Sequence, residues 1–421
     1  MTITTRPVVP ALGHNRNFGL LWLGEGICVL GSMTTLVFPL LAVTAFDAGP
    51  GMMGLLTAAT WLPWLLLSLP AGVWIDRGDP RRIMIAADLW SALATVTVPL
   101  AWALGRLTLA HVLLAALGVG VGAVFFRTAY ASLIPRVVAK GDLESANSRL
   151  VGTESAMQVA GPSLGGALVA LLSAAYAVAL DTVTFLVSAA CLWRMQPAQL
   201  LAHEPPPREP MWSSVRAGLR ILRSDPYVRF MAWQGGASNF ALTGYGALLV
   251  LFLVRDLHLD AGWTGVVIAV GSAGGLGGAA IARRVSAWLG QGPAMVALQV
   301  FGGPTALLIA AAQPGRLVAL VPLGAACVGV GVVGANVLRG AFRGRYVPAA
   351  VMARVLSASS LINMGTMPLG GLAAGWLGFH LGIRGAIAVL AGLHALASLS
   401  VLLGPYRPGR PLPEHPLRLP G

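Results

Sequence analysis

Fifteen acidic residues occur in the 421-residue chain, and four of them, Glu25, Asp88, Glu154 and Asp181, lie inside otherwise apolar stretches. A charged side chain at the centre of a bilayer costs about 2.5–3.5 kcal/mol even on the lenient insertion scale, so an acid kept there is a candidate for handling ions or protons. Helical spacing gives three of them polar company. At 100° per residue, Cys28, Ser32 and Thr35 fall within an arc of about 80° beside Glu25. Ser91 and Thr95 share the face of Asp88, and Gln158, Gly161 and Gly165 share that of Glu154. A polar stripe on an apolar helix predicts a wet cavity rather than lipid contact. Glu25, Asp88 and Glu154 are therefore the proton-coupling candidates. The competing reading is an inter-helix hydrogen bond for Glu25 and Asp88, and a charge pair with Arg149 or Arg127 for Glu154. Asp181 reads as a helix-start residue.

Neutral polar groups supply the candidate substrate cavity: Ser32 and Gln158 in the first half, and Gln234, Tyr245, Asn336 and Asn363 in the second. Each is equally suited to a helix-to-helix contact. No acid lies between Asp260 and Glu414, so carboxylate-based proton chemistry belongs to the first half. Cys28, Cys191 and Cys327 form no metal spacing, and the isolated His111, His380 and His394 have no second ligand nearby in sequence. The single Lys140 is followed by Gly141, which rules out a phosphate-binding GxxxxGK[ST] loop and hence self-powering by ATP. No nucleophile shares a membrane depth with a base, so neither an enzyme nor a cofactor is expected.

These side chains need membrane helices to hold them. With 56% hydrophobic residues, 10% charged residues and a mean hydropathy of +0.77, the chain carries less than half the charge of an ordinary soluble domain. Cutting at charges and Gly/Pro-rich breaks predicts twelve apolar segments, at 18–46, 52–72, 83–104, 109–127, 148–172, 176–194, 229–254, 263–282, 293–313, 317–338, 354–377 and 385–404. Of the 28 basic residues, only Arg106, Arg255, Arg316 and Arg384 fall on the outer side when the N-terminus is placed inside. That steep positive-inside bias predicts two cytoplasmic termini. It also accounts for the net charge of +13 without nucleic acid. The stretch from Gln196 to Asp225 is the longest polar segment, giving a six-helix bundle over 1–195, a linker over 196–225, a second bundle over 226–404 and a tail over 405–421. Its Arg216, Arg220 and Arg223 recur at helical spacing.

An offset of 206 residues places Gly72 on Gly278, Arg77 on Arg283, Pro162 on Pro368 and Gly165 on Gly371. These coincidences fall at matching points of the two halves, as expected of parallel six-helix repeats. The run Gly72-Val-Trp-Ile-Asp76-Arg77-Gly-Asp79-Pro-Arg81-Arg82 is similar to the loop motif between helices 2 and 3 of the major facilitator superfamily. Leu133-Ile-Pro135-Arg136, Ala146-Asn147-Ser148, Gly161-Pro162-Ser-Leu-Gly165-Gly166 and Leu180-Asp181 then follow in the order of its drug:proton antiporter branch, which includes macrolide and siderophore exporters. The chain resembles that branch over essentially its whole length. It departs from it in two places: no Arg is embedded in the fourth predicted span, and Ala282 stands where the repeat would offer an acid.

The resemblance implies an all-α integral membrane protein of twelve helices working by alternating access. It casts Gly72, Asp76, Arg77, Arg81 and Arg82 as a conformational latch, and Gly161, Pro162, Gly165, Gly166 and Pro368 as helix pivots. The expected activity is efflux of hydrophobic or cationic drug-like molecules against protons across a bacterial inner membrane, by a monomer whose partners are substrate, protons and lipid. A siderophore or lysolipid exporter of the same fold is the alternative cargo reading, and a non-transporting sensor the alternative of another class.

Overall fold

A computed structural model of the chain describes residues 12–31, 34–172, 174–197, 200, 211–407, 412–413 and 415–417. Every regular element among them is a helix. The α-helices are α1 (Arg16–Gly31), α2 (Thr34–Phe46), α3 (Pro50–Arg77), α4 (Pro80–Ala103), α5 (Leu109–Val137), α6 (Leu143–Leu171) and α7 (Ala174–Trp193). They continue with α8 (Met211–Ser224), α9 (Pro226–Leu251), α10 (Ala261–Leu289), α11 (Gln291–Thr305), α12 (Leu307–Ala311), α13 (Leu320–Tyr346) and α14 (Ala349–Leu399).

Several helix starts follow directly from sequence. In Asp79-Pro80 and Asp225-Pro226 the acid caps the first turn and Pro occupies a position that needs no donor. Asp79 Oδ1 accepts from the Arg81 amide at 3.0 Å, and Asp225 Oδ1 from the Val228 amide at 2.8 Å. Asp260 and Thr108 cap α10 and α5 in the same way.

Nine helical stretches among the described residues are long and apolar enough to cross a membrane. α6 falls short because residues 143–158 carry Glu144, Arg149 and Glu154 among small polar side chains. The chain from Ala349 to Leu399 is a single helix by hydrogen bonding, but Gly382 has φ +74° inside it. Only glycine takes that conformation without strain, so the break falls between the two predicted segments 354–377 and 385–404.

Two helices run further than the sequence reading allowed. α5 continues ten residues beyond 127, to Val137, and α13 continues eight residues beyond 338, to Tyr346. In each case the predicted span stopped at an arginine, although Arg is a good helix former and a single one does not end a helix.

The helices gather into two compact units, one of 1–38 with 66–208 and one of 39–65 with 209–421. In the first, α4 packs on α5 and α7, and α1 packs on α6 and α7. Trp74 stacks on Phe125 there at 5.7 Å. In the second, α9 lies along α14 and α13 is flanked by α10 and α11. Gly370 lets α14 approach the Phe240 carbonyl of α9 so closely that a Cβ at this position would overlap it. Tyr227, Phe342, Tyr346 and Tyr406 form an aromatic knot at one end of this unit, with ring centroids 5.1–6.0 Å apart.

Candidate functional site

Helices α1, α4, α5 and α6 of the first unit enclose a cavity of about 200 Å³ lined by Glu25, Asp88, Arg127, Glu154 and Gln158. Three carboxyl groups from three different helices therefore converge on one space. Arg127 projects from α5 into their midst. Its guanidinium lies 3.3 Å from Glu25 Oε1 through Nη1 and pairs with Glu154 Oε1 through Nη2. Gln158, one turn along α6, donates to the same Glu154 oxygen at 3.3 Å.

Burial differs across this cluster. Glu25 is 5% exposed and Glu154 21%, whereas Arg127 is 41% exposed. Asp88 is buried against Ser188 of α7. Glu25 Oε2 and Asp88 Oδ2 have no hydrogen-bond partner among the described residues. Two carboxyl groups thus pair with one guanidinium, and a third, Asp88, lines the same cavity. The acid excess is one that protons or a cationic ligand could balance, and the two unpartnered oxygens are where either would attach.

Of the two partners that the sequence offered for Glu154, Arg149 and Arg127, the structure pairs it with Arg127, which also reaches Glu25. Arg127 lies inside α5, ten residues before its end, because the helix runs on to Val137. Asp181 is corrected: α7 begins at Ala174, so Asp181 is fully buried two turns inside the helix rather than at its start.

Ser32 lies outside the described residues, as does the Asp76 side chain. Of the remaining loop motif, Gly72 lies within α3, Arg77 is exposed at its end, and Arg82 makes an exposed pair with Asp79 at 3.5 Å. Arg81 is buried. Its Nε donates to the Leu192 carbonyl at 2.7 Å and its Nη2 to the Trp193 carbonyl at 2.5 Å. A cation on the last carbonyls of α7 satisfies orphan acceptors and complements the helix dipole. Gly161, Gly165 and Gly166 are buried around Pro162 in α6, and Pro368 is buried in α14.

The second unit engages its predicted polar residues among themselves. Gln234 accepts from Arg339 and donates to Gln299 at 3.1 Å, and Asn336 accepts from Arg339 at 2.8 Å. Asn363 donates to the Ser359 carbonyl and accepts from Asn239. Tyr245 meets His394 edge-on at 6.5 Å, and the His394 ring bonds Ser238 at 3.2 Å. Arg339 is the residue overlooked in the sequence.

Residues 10–408 match a family of the major facilitator superfamily described as transmembrane secretion effector. The chain belongs to this family. It is 27% identical over 254 residues to the uncharacterised transporter y4rN of Sinorhizobium fredii, a match over 59% of this chain and 61% of that relative. Similarity to the multidrug efflux pump Tap of Mycolicibacterium fortuitum is 26% over 287 residues, covering 64% of this chain and 67% of the pump. The match thus spans about three fifths to two thirds of the length of these relatives. Among solved structures, a point mutant of the nucleoside transporter NupG superposes with a TM-score of 0.76 at 10% identity, covering 92% of this chain and 99% of that one. The family places this chain in a superfamily of multi-pass membrane transporters, a class that is not enzymatic, and the solved structures share its fold.

Proposed function

We propose that the protein is a proton-coupled exporter of hydrophobic or cationic drug-like molecules. The observation that carries this reading is the cavity that Asp88 lines together with Glu25 and Glu154, the two acids paired with Arg127. A cation or a proton can each offset the acid excess, so binding of one competes with binding of the other, which is the elementary requirement of antiport. The mostly apolar remainder of the wall, with Phe126, Phe185 and Val119, suits an amphiphile. The relative described as a multidrug efflux pump supports this cargo class.

In this reading twelve helices form two parallel six-helix bundles, 1–195 and 226–404, joined by the linker 196–225 and followed by the tail 405–421. The bundles rock about a central substrate path as a monomer in a bacterial inner membrane, with both termini cytoplasmic. Nine apolar stretches, the α1–α2 pair, α6 and the division of α14 at Gly382 are what support the count. The loop around Asp76 latches one state, and Gly161-Pro162 and Pro368 allow the helices to pivot. Ser32, Gln158, Gln234, Tyr245, Asn336 and Asn363 contribute polar contacts to the cargo path. One proton entering down 100 mV supplies about 2.3 kcal/mol. A neutral cargo expelled against a 100-fold gradient needs about 2.7 kcal/mol, so one coupled carboxyl nearly suffices. The half-exposed Arg127 also favours a second cargo reading, an anionic chelate or a lysolipid headgroup.

The test is accumulation of cationic dyes, anionic chelates and labelled lysolipids in efflux-deficient cells. Lowered dye accumulation that a protonophore or Glu25→Gln abolishes is expected. Export of the anionic compounds alone would overturn the cationic reading in favour of the second.

A further inference from the structure

The second unit contains a charge that its sequence does not balance. Residues 261–413 include no Asp or Glu, yet Arg339 lies in α13 within the membrane-length stretch Arg316–Tyr346. Its Nη1 and Nη2 donate to Gln234 and Asn336, both neutral amide oxygens. No ion pair among the described residues includes it. Glu209 and Glu414 lie outside the described residues, Asp256 lies beside Arg255 and Arg384, and the other acids of this unit are committed elsewhere. Asp225 accepts from the Val228 amide and the Tyr346 hydroxyl, Asp47 pairs with Arg255, and Asp260 caps α10.

The guanidinium also dictates which way its neighbours point. A cation takes only an oxygen, so Gln234 presents Oε1 to Arg339 and turns Nε2 towards Gln299. Gln299 must then offer Oε1 to Gln234, which leaves its own Nε2 as a donor with no acceptor. Arg339 Nε is a second such donor. Both atoms are fully buried and have no partner among the described residues. Arg339, Gln234 and Gln299 line one small cavity of about 10 Å³, bounded by Tyr406, Phe230 and Met295.

A space of that size admits one water-sized body. A water would satisfy the donors but leave the part-buried guanidinium, whose Nε is fully buried, without a counter-charge among the described residues, and charges drawn away from water are ordinarily paired. We propose that this cavity binds a small monovalent anion, chloride in the cell, held by Arg339 Nε and Gln299 Nε2 as the counter-ion of Arg339. The site is independent of the export reading, because it requires no cargo and lies wholly within the second unit. It excludes doubly charged or bulky anions on size, and its selectivity should run with ionic radius among the halides.

The direct test is ³⁶Cl⁻ binding to the full-length protein purified in neutral detergent and gluconate buffer. Saturable binding of one chloride per chain, displaced by bromide and not by gluconate or sulfate, is expected. Gln299→Leu, which removes a donor without removing a charge, should weaken it about tenfold, and Arg339→Gln should abolish it. Absence of saturable binding to the intact protein would overturn the proposal and leave the cavity to water, and this result depends on no variant. Undiminished binding in Gln299→Leu would equally overturn it. Bromide anomalous diffraction from the unaltered protein supplies an independent readout. A bromide peak between Arg339 and Gln299 is expected, and a bromide found only elsewhere refutes the assignment.

Discussion

Replacing Arg127 by Gln removes the one guanidinium that lines the acid cavity among the described residues and leaves Glu25 and Glu154 without it. Breaking a fully buried ion pair costs about 3–5 kcal/mol. Glu25 is 5% exposed, but Arg127 is 41% exposed and partly screened by solvent. The expected loss is accordingly reduced to about 1–3 kcal/mol, or several °C in melting temperature on the scale of about 2–4 °C per kcal/mol for chains of 150–250 residues. Unfolding can be followed in neutral detergent with a thiol-reactive fluorophore, because the free Cys28, Cys191 and Cys327 are buried or half-buried in the folded chain. The triple replacement Glu25→Gln, Arg127→Gln and Glu154→Gln deletes all three charges while keeping similar shapes, and should recover most of the loss. An Arg127→Gln protein as stable as the parent would refute the reasoning. So would a triple variant no more stable than Arg127→Gln. Both variants should fail to export, which separates stability from transport.

Three further outcomes follow from single contacts. Arg81→Ala strips the Leu192 and Trp193 carbonyls of their charged donor and should destabilise the protein by about 1.5–3 kcal/mol, as read from thermal unfolding. Arg81→Lys should restore part of it. Tyr346→Phe deletes the hydroxyl that sits 2.5 Å from Asp225 Oδ2. The buried carboxylate is left short of a partner, so a loss of about 1–3 kcal/mol is expected, whereas an unchanged melting temperature would mean that water replaces the hydroxyl freely. Gly370→Val places a branched side chain against the Phe240 carbonyl. Overpacking of about 1–3 kcal/mol or more should lower both the yield of folded protein and its melting temperature, and normal yield would show that α9 and α14 can separate at this point.

The apolar helices were legible because apolar length is the dominant signal in the chain, whereas the caps at Asp79, Asp225 and Asp260 emerge only from the structure. The convergence of Glu25, Asp88 and Glu154 on one cavity was partly legible, since each acid carried its own polar stripe. Arg339 was not, and Arg127 was legible only as one of two partners offered for Glu154, for one shared reason. Each lies where an apolar run meets its first charge, so a hydropathy cut makes it the end of a span rather than part of one. What keeps each helix going is tertiary: Glu25 and Glu154 for Arg127, and Gln234 and Asn336 for Arg339. Those partners come from helices 27 to 105 residues away in sequence, except for Asn336, which lies one turn before Arg339. Asp181 was misjudged although the start of its helix was placed within two residues, at 176 against Ala174, because an acid in the second turn was read as belonging to the helix start. The polar residues of the second half were recognised individually, but their mutual engagement through Arg339 depends on helix packing that no spacing encodes.

The claim that proton movement and cargo movement share the Glu25 cavity is tested most directly in proteoliposomes holding the purified protein, a cationic dye outside and a pH indicator inside. An imposed pH gradient should drive dye transport together with a matching proton flux, and Glu25→Gln should lose gradient-driven transport while retaining dye exchange at equal concentrations. Dye movement unaffected by the gradient, or gradient-driven transport that survives in Glu25→Gln and in Asp88→Asn alike, would contradict the account.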